Sequence, residues 1–406
     1  MSTATTAFTP SQRVQRIKVS PSTAAAARVQ ELKAEGREIF DLTVGQPDFD
    51  TPENIKAAAA AAMESGQTKY TSVNGTPQLR EAIRSRMTRV TGQVYSDAEI
   101  TVGGGGKQVI FLAFMASLNP GDEVIIPSPY WVSYPDMVRA NDGEPVVVAT
   151  GRAEGYKLTP DLLEAAITDR TRWVVLNTPS NPTGVAYTEG ELLALGEVLR
   201  RHRHVWVLTD EIYDEISYLD GAVPNLARAL PELGDRHLMV NGVSKSYAMT
   251  GWRLGYAVGD QGLIATINLL QSQTSSCPSS ISQAAAVEAL SGDQTSVTER
   301  VQVYAARRDR ALELLTEIHG LSPITPDGAF YIFVECSGLI GRVTPDGQRL
   351  DTDQDVTLYL LEKANVAVIQ GSAYGTEPFF RMSFATDMDT IESALAAVSD
   401  AVRRLS

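Results

Sequence analysis

The chain has 406 residues, of which 43% are hydrophobic, and this is typical of one large or two medium globular domains with a sizeable core. The formal net charge is −14 without any run of lysine and arginine, which argues against a nucleic-acid partner. The sequence contains no run of about 18 apolar residues, and its two cysteines, Cys277 and Cys336, have no metal-ligand spacing, so we expect a cytoplasmic protein without a membrane span or a metal site.

The N-terminal part is predicted to combine an arm with a helix. Residues 1–20 show no strong periodicity, and the absence of acidic residues there weakly resembles an organelle transit peptide. An ordered arm is the preferred interpretation because a plausible helix follows, from Ser22 or Thr23 to about Lys33. A short strand at 39–45 and helices at 53–66 and 77–90 come next. Residues 1–45 are assigned to the arm and to part of a smaller domain.

Residues 100–270 alternate between apolar strands and helices. The continuous apolar runs are typical of strands buried on both faces. Strands separated by helical segments indicate an α/β fold with a mostly parallel sheet, here in a large domain over 46–295. The predicted strands are 100–102, 123–127, 146–150, 173–177, 205–210, 238–242 and 254–259, and the predicted helices are 107–117, 189–201 and 262–270.

The pattern changes after residue 295. A long charged helix is predicted over 297–317 and a terminal helix over 390–403, with short strands at 330–334, 366–369 and 380–384. This pattern indicates a second, smaller α+β domain over 296–406, packed with the N-terminal arm. Residues 337–353 contain glycine and aspartate and are predicted to form a surface loop.

Four glycines at 103–106 follow a strand and open a helix. Backbone N–H groups in such a turn can hold a phosphate, helped by the helix dipole. The glycines match neither the Walker A pattern nor the dinucleotide fingerprint, and a flexible turn explains them equally well.

Two further polar positions follow strands. Asn181 lies in the loop 177–184, which reads Asn-Thr-Pro-Ser-Asn-Pro-Thr-Gly; its prolines would aim the side chain at a fixed point, although an ordinary turn needs only Asn-Pro. Asp210 ends the next buried strand, and ligands bind outside the carboxyl ends of parallel strands. Taken alone, a helix N-cap explains this aspartate better.

Lys245 lies between two serines, and Arg253 follows eight positions later. A lysine acts as a nucleophilic amine only when its charge is partly suppressed and its stem is held. A solvated lysine in a strand-ending loop is the alternative for this segment alone.

In their order along the chain, these segments resemble those of class I aminotransferases among the fold-type-I pyridoxal-phosphate enzymes. The resemblance covers nearly the whole chain from about Arg16, and it rests on Asn-Pro-Thr-Gly at 181–184, Asp-Glu-Ile-Tyr at 210–213 and Ser-Lys at 244–245 with Arg253. The stretches 106–108, 129–135 and 249–253 are most similar to the bacterial aspartate/prephenate aminotransferase subgroup. The resemblance implies pyridoxal 5′-phosphate as cofactor and a homodimer with shared active sites.

The resemblance also implies roles for individual residues. Lys245 would bind the cofactor covalently and later move a substrate proton, and Asp210 would keep the pyridine nitrogen protonated. Tyr213 and Asn181 would hydrogen-bond the ring oxygen, and Trp131 would stack on the ring. The phosphate would be bound by the Gly105 and Gly106 amides, Ser244, Arg253 and Tyr70 of the neighbouring subunit.

The same resemblance implies the substrate contacts. Arg381, flanked by apolar residues, would bind the substrate α-carboxylate, assisted by the backbone of Gly45 and by Trp131 and Asn181; a surface arginine is the alternative. Lys107 would bind a distal carboxylate unless it points to solvent. Ser20 and Ser22 on the arm align approximately with hydroxyl residues that assist, although residues 18–23 read Lys-Val-Ser-Pro-Ser-Thr where the subgroup usually has Lys-Pro-Ser-Ala-Thr.

The predicted function is a ping-pong aminotransferase acting on aspartate or glutamate with oxaloacetate, 2-oxoglutarate or prephenate. An aromatic or broad-range aminotransferase, a lyase or an amino-acid oxidase would use the same scaffold. A non-catalytic regulatory module is disfavoured, because such proteins carry a basic DNA-binding segment ahead of this domain, whereas this chain is acidic and starts almost at the arm.

Overall fold

The computed structural model describes residues 8–18, the backbone of 21–26 and all of 27–406. The predicted helices are confirmed, with ends that shift by a few residues. The helices at 12–15, 134–140, 160–166, 226–229, 280–291 and 353–363 were not predicted, because each is short or lies in a segment without clear periodicity. The helices are α1 Gln12–Gln15, α2 Pro21–Ala34, α3 Glu53–Glu64, α4 Pro77–Thr91, α5 Gly106–Ser117, α6 Tyr134–Ala140, α7 Pro160–Ala166, α8 Glu189–Arg201, α9 Leu226–Ala229, α10 Gln261–Thr274, α11 Ser280–Ser291, α12 Thr295–Thr316, α13 Asp353–Lys363 and α14 Met388–Arg403.

A seven-stranded sheet forms the centre of the molecule. Its strands are β2 Ile100–Gly103, β3 Glu123–Ser128, β4 Glu144–Ala149, β5 Thr171–Asn177, β6 Trp206–Asp210, β7 His237–Gly242 and β8 Gly255–Gly259. The order is β2-β8-β7-β6-β5-β3-β4, and β8 runs antiparallel to both of its neighbours, β2 and β7, while all other neighbouring strands are parallel. The predicted α/β fold with a mostly parallel sheet is therefore confirmed. The prediction that β4 is buried is wrong, because it is an edge strand whose residues are exposed or half-buried.

The carboxyl ends of four strands meet at one edge of this sheet. Asn177 at the end of β5 pairs with Asp210 at the end of β6. Gly255, where β8 begins, pairs with Gly242 of β7 on one side and with Gly103 of β2 on the other. The glycine turn, the Asn-Pro loop, Asp210 and the lysine loop after β7 therefore share this edge, as expected for a ligand-binding crevice.

A smaller antiparallel sheet has the strand order β12-β13-β10-β9. Its strands are β9 Ser322–Pro323, β10 Tyr331–Glu335, β12 Ile369–Gln370 and β13 Phe379–Ser383. Separately, β1 Phe40–Asp41 pairs in parallel with β11 Val366–Ala367, which joins the end of the N-terminal segment to the C-terminal part. The single strand predicted over 366–369 is therefore two strands in different sheets.

The segment 337–353 is only partly the surface loop that the sequence predicted. Leu339, Thr344 and Leu350 are buried, and Val343 forms a bridge with Arg349. Backbone hydrogen bonds in both directions also join Val343 to Ser406. Buried residues at intervals of five and six positions fit neither a helix nor a strand period, so the sequence pattern did not reveal this packing.

Residues from both parts of the chain share one hydrophobic cluster. It consists mostly of residues from 304–405, but Tyr213 and Ile216, which follow β6, belong to it as well. The edge of the central sheet is thus packed directly against the smaller sheet. The proposed division at residues 45 and 295 remains a prediction. No helix in the described part of the chain is long and apolar enough to cross a membrane.

Candidate active site

A cavity of about 630 Å³ lies where the edge of the central sheet meets the smaller sheet. It brings together most of the residues that the sequence singled out: Gly45, Gly106, Lys107, Trp131, Asn181, Asp210, Tyr213, Ser244, Lys245, Arg253 and Arg381. A wider depression of about 1130 Å³ adjoins it and shares Gln46, Thr250 and Arg253 with it. These residues come from across the chain, so only the fold places them together.

The cavity carries an excess of positive charge. Its lining includes four cations, Lys107, Lys245, Arg253 and Arg381, but only two acids, Asp41 and Asp210. Among the described residues, none of the four cations lies within ion-pair distance of a carboxylate. By contrast, two other buried arginines are paired with carboxylates: Arg86 lies 2.8 Å from Asp214, and Arg307 lies 2.9 Å from Asp48. Unpaired cations in a protein of net charge −14 indicate a site for anionic ligands.

Lys245 lies in the loop between β7 and β8, with its ammonium group directed into the cavity. The group donates a hydrogen bond to the Gly45 carbonyl and lies 5.9 Å from the ring centre of Tyr213. Burial lowers the pKa of Lys245 to about 8; the charges of Arg381 and Arg253 act in the same direction, and Asp210 opposes them. An amine with this pKa is partly neutral near pH 8 and can act as a nucleophile or base.

The backbone of the lysine loop is strained at two positions. Ala248 has a φ of 52° and Arg253 a φ of 54°, in the left-handed region that residues with a side chain rarely adopt. Strain of this kind persists only where the surrounding structure enforces it, and it concentrates at functional sites. At Arg253 it allows the guanidinium to donate to the carbonyls of Thr250, at 2.9 Å, and Gly104, at 3.3 Å.

The start of α5 forms an anion cradle with this guanidinium. Gly105 has a φ of 104°, and a Cβ there would lie 2.6 Å from Nη2 of Arg253, so the close approach requires glycine. Its own amide donates to the Gly103 carbonyl at 2.8 Å, so the predicted phosphate contact through Gly105 is not available in this conformation. The amides of Gly106 and Lys107 begin the helix and remain as donors.

Asp210 is buried at the end of β6. Its Oδ2 accepts a hydrogen bond of 2.6 Å from the Tyr134 hydroxyl, and Oδ1 accepts one of 3.4 Å from the Ile212 amide. Burial raises the pKa of Asp210, while the Tyr134 hydrogen bond, the Ile212 amide and the charge of Lys245 oppose that shift. The helix-cap explanation is excluded, because no helix begins at Asp210. A cationic hydrogen-bond donor in the cavity would complement this carboxylate.

Arg381 on β13 points into the cavity and is only 3% exposed. Its Nη2 donates to the Thr43 carbonyl at 2.6 Å and its Nη1 to Oδ1 of Asn181 at 3.1 Å, while the buried Nε has no hydrogen-bond partner among the described residues. The interpretation of Arg381 as a surface arginine is therefore wrong. Its fixed, partly unsatisfied guanidinium is suited to binding a carboxylate in two contacts.

Residues 37–398 match the family model described as aminotransferase class I and II. The chain belongs to this family. It is a transaminase, as the sequence predicts.

This aminotransferase is similar along its whole length to named relatives. It is 50% identical over 399 residues to the aspartate aminotransferase of Rhizobium meliloti strain 1021, covering 98% of this chain and 97% of that protein. It is 48% identical to the aspartate/prephenate aminotransferase of Cereibacter sphaeroides, with coverage of 96% and 97%.

Solved structures agree with the fold. The crystal structure of the Rhizobium meliloti aspartate aminotransferase has a TM-score of 0.96 at 50% identity and covers 98% of this chain and 100% of that one. The Thermus thermophilus aspartate aminotransferase with maleate has a TM-score of 0.89 at 38% identity, with coverage of 97% and 100%.

Lys107 and Tyr70 are further predicted contacts of this aminotransferase, and of these two only Lys107 lines the cavity. Lys107 is exposed, but it lines the cavity with its ammonium group 4.8 Å from the ring centre of Trp131. Tyr70 is 90% exposed and does not line the cavity of its own chain. Ser20 and the side chain of Ser22 lie outside the described residues.

The sequence interpretation of this aminotransferase missed three residues that set the geometry of the site. Tyr134 binds Asp210, Thr43 binds Arg381 through its carbonyl, and Tyr331 contacts both Tyr213 and Arg381. Tyr134 lies in the stretch 129–135, which is one of the stretches that carry the family resemblance, so the sequence offered a reason to expect it near the site. Thr43 and Tyr331 lie in segments that were read only as strands.

Proposed function

We propose that this chain uses pyridoxal 5′-phosphate to transfer an amino group from aspartate or glutamate to oxaloacetate or 2-oxoglutarate, with prephenate as a further acceptor. The observation that carries the proposal is the cavity with four cations unpaired among the described residues and one buried carboxylate. A cofactor with a phosphate and substrates with two carboxylates supply the anions that such a cavity needs. The names of the relatives and the maleate of the Thermus thermophilus structure support a dicarboxylic substrate.

The residues present fit this cofactor. The α5 amides, Ser244 and Arg253 would hold its phosphate at the glycine cradle. Asp210, buried and facing the cavity, would bind a protonated ring nitrogen, and Lys245 lies beside it with a lowered pKa. When bound, pyridoxal phosphate supplies an electron sink for negative charge at the substrate Cα.

The roles of the protein side chains follow from their positions and charges. Lys245 serves as the base that removes the proton from the substrate Cα and delivers it to C4′ of the cofactor, because its amine is neutral above about pH 8. Arg381 orients the substrate through the α-carboxylate, and Asn181 and Thr43 keep its guanidinium in place. Donor and acceptor use the same cavity in turn, which gives ping-pong kinetics.

A screen of amino donors against 2-oxo acids tests this proposal. The loaded enzyme should convert aspartate only as fast as a 2-oxo acid is supplied, and parallel lines should appear in double-reciprocal plots. Turnover of an amino acid without any 2-oxo acid, with release of ammonia or carbon dioxide, would instead identify a lyase or an oxidase on the same scaffold.

Lys107 is the proposed sensor of the distal carboxylate, since it is the cation at the rim of the cavity. Lys107→Ala should lower kcat/KM for aspartate roughly 10- to 100-fold, the effect of one charge-assisted contact, and change that for phenylalanine less than about 3-fold. Steady-state kinetics with both donors measure the difference. Lys56→Ala, at a half-buried lysine that is paired with Glu53 outside the cavity, is the control. Equal losses of kcat/KM for aspartate and phenylalanine would show that Lys107 does not recognise the substrate side chain.

We also propose a homodimer in which Tyr70 contributes to the partner's site. Tyr70 is exposed beside Thr71, whose amide contacts the sulfur of Cys277 at 3.3 Å, and Cys277 lines the wide depression next to the cavity. A second subunit that covers this opening would bring its own site within reach of Tyr70.

Mixed dimers test this arrangement. Subunits carrying Lys245→Ala and subunits carrying Tyr70→Phe should together form one intact site, so activity should rise above the sum of the two parents. Mixing Lys245→Ala with Asp210→Asn is the control, because both changes affect residues of one chain's own cavity and no intact site results. No gain in the first mixture would mean that Tyr70 does not act across subunits.

The proposed location is the cytoplasm. Both cysteines, Cys277 and Cys336, are free thiols. Free thiols are typical of a reducing compartment.

A further inference from the structure

The aromatic ring of Tyr331 packs against the guanidinium of Arg381. In the pairing of β10 with β13, Arg381 lies opposite Phe333, so Tyr331 is its diagonal neighbour on the same face of the sheet. The centre of the Tyr331 ring lies 4.2 Å from Cζ of Arg381, and the ring is 1% exposed. A cation stacked on a buried ring is held more strongly than one at the surface.

The hydroxyl group of Tyr331 makes a second contact. It lies 3.0 Å from the hydroxyl of Tyr213, and the two rings meet edge to face at 5.8 Å. It also closes the space beside Gly45, where an added Cβ would lie 3.4 Å from the Tyr331 oxygen. One side chain thus touches the group that binds the substrate carboxylate and a tyrosine that faces the cofactor site.

We propose that Tyr331 is a positioning residue, which holds Arg381 with its ring and directs the proton of Tyr213 into the cavity with its hydroxyl. The proposal rests on the proposed function of the cavity. A hydroxyl has one proton, so when Tyr331 donates to Tyr213, the Tyr213 proton remains available for an acceptor in the cavity. Hydrogen bonds in such a chain strengthen one another.

The two parts of this role can be separated by two substitutions. Tyr331→Phe keeps the ring and removes the hydroxyl, whereas Tyr331→Leu removes both. If Tyr331 only fills space in its hydrophobic cluster, the first change should leave the site unaltered and should lower only the thermal transition.

The hydroxyl part is tested on the pyridoxal phosphate-loaded protein by titrating its visible absorbance band with pH. Weaker donation from Tyr213 should raise the midpoint in Tyr331→Phe by roughly 0.3 to 1 pH unit. The charged groups facing the tyrosine pair are Asp210, Lys245 and Arg381, and all three are kept in the variant. Tyr359→Phe, which loses a buried hydrogen bond to the Ala401 carbonyl, is the matched control and should leave the midpoint unchanged.

The ring part is tested with maleate as a dicarboxylate probe. Its Kd should rise roughly 5- to 30-fold in Tyr331→Leu, the loss expected for a desolvated cation–ring contact, and less than about 2-fold in Tyr331→Phe. Tyr331→Met replaces the leucine variant if that protein does not fold.

Two results would overturn the inference. One is a midpoint in Tyr331→Phe equal to that of the wild type while Tyr213→Phe shifts it; the other is an unchanged maleate Kd in the folded variant without the ring. Either result leaves the proposed function intact, since that proposal fails only if the wild-type protein shows no visible band or no transamination.

Discussion

Lys245→Ala should abolish nearly all transaminase turnover while the protein keeps its fold. The lysine contacts the site through the Gly45 carbonyl and makes no ion pair among the described residues, so its removal should cost little stability. It removes the group that we propose as both the covalent attachment point and the proton carrier. General acid–base catalysis alone contributes about 10²- to 10⁴-fold, so kcat should fall by at least about 10³-fold.

The prediction can be checked with two further variants. Lys245→Arg retains the positive charge but cannot lose its proton, so it should be as inactive as the alanine variant. Lys363→Ala, at an exposed lysine paired with Asp346, should keep full activity. A Lys245→Ala protein that transaminates at the wild-type rate would show that the central assignment is wrong.

The lowered pKa of Lys245 also gives this prediction a pH signature. An ordinary lysine has a pKa of 10.5, whereas burial and the neighbouring arginines bring that of Lys245 to about 8. Because the neutral amine is the nucleophile, the rate at which the cofactor-free protein takes up pyridoxal phosphate should rise with pH and level off above about 8. A rate still rising steeply towards pH 10 would contradict the lowered pKa.

The sequence predicted the strands of the central sheet well, because strands buried on both faces are continuous apolar runs. It did not predict the direction of β8, whose run at 255–259 looks like the others. The connection offered a clue: β7 ends at Gly242 and β8 begins at Gly255, and only a 3-10 turn lies between them. A parallel pair usually needs a helical crossover, so this short link favours an antiparallel strand.

The identities of the polar residues at the strand ends were accessible from the sequence, but most of their contacts were not. Arg381 binds the carbonyl of Thr43, which lies 338 positions earlier, and Tyr213 meets Tyr331, which lies 118 positions later. Every residue has a backbone carbonyl, so the residue type does not reveal which carbonyl binds an arginine. A tyrosine in an apolar strand resembles any core residue. The pKa of Lys245 depends on Arg381, from a distant segment, as well as on Arg253 of its own loop, so it too required the fold.

Asp210→Asn should be the second most damaging substitution. The carboxylate is buried, and among the described residues no cation pairs with it, so a protonated ring nitrogen of the cofactor is the partner that we propose. An amide is isosteric and can still accept the Tyr134 hydrogen bond, so the fold should be kept. What is lost is the charge that keeps the nitrogen protonated, and with it much of the stabilisation of negative charge in the transition state. We expect kcat to fall roughly 10²- to 10³-fold or more, as for other buried electrostatic contacts that act in the transition state.

This prediction is tested by measuring kcat and KM separately for Asp210→Asn. Tyr134→Phe, a milder change at the same carboxylate, serves as the comparison. Removing the Tyr134 hydroxyl leaves the Asp210 charge in place but takes away a hydrogen bond that favours its ionised form, so it should raise the pKa of Asp210 further and reduce kcat by a smaller factor. Because Asp210 is then protonated at a higher pH, the loss in Tyr134→Phe should deepen as the pH falls and shrink as it rises, whereas the loss in Asp210→Asn should persist at every pH. An Asp210→Asn enzyme with a raised KM and an intact kcat would mean that this carboxylate binds substrate or cofactor without assisting the chemistry.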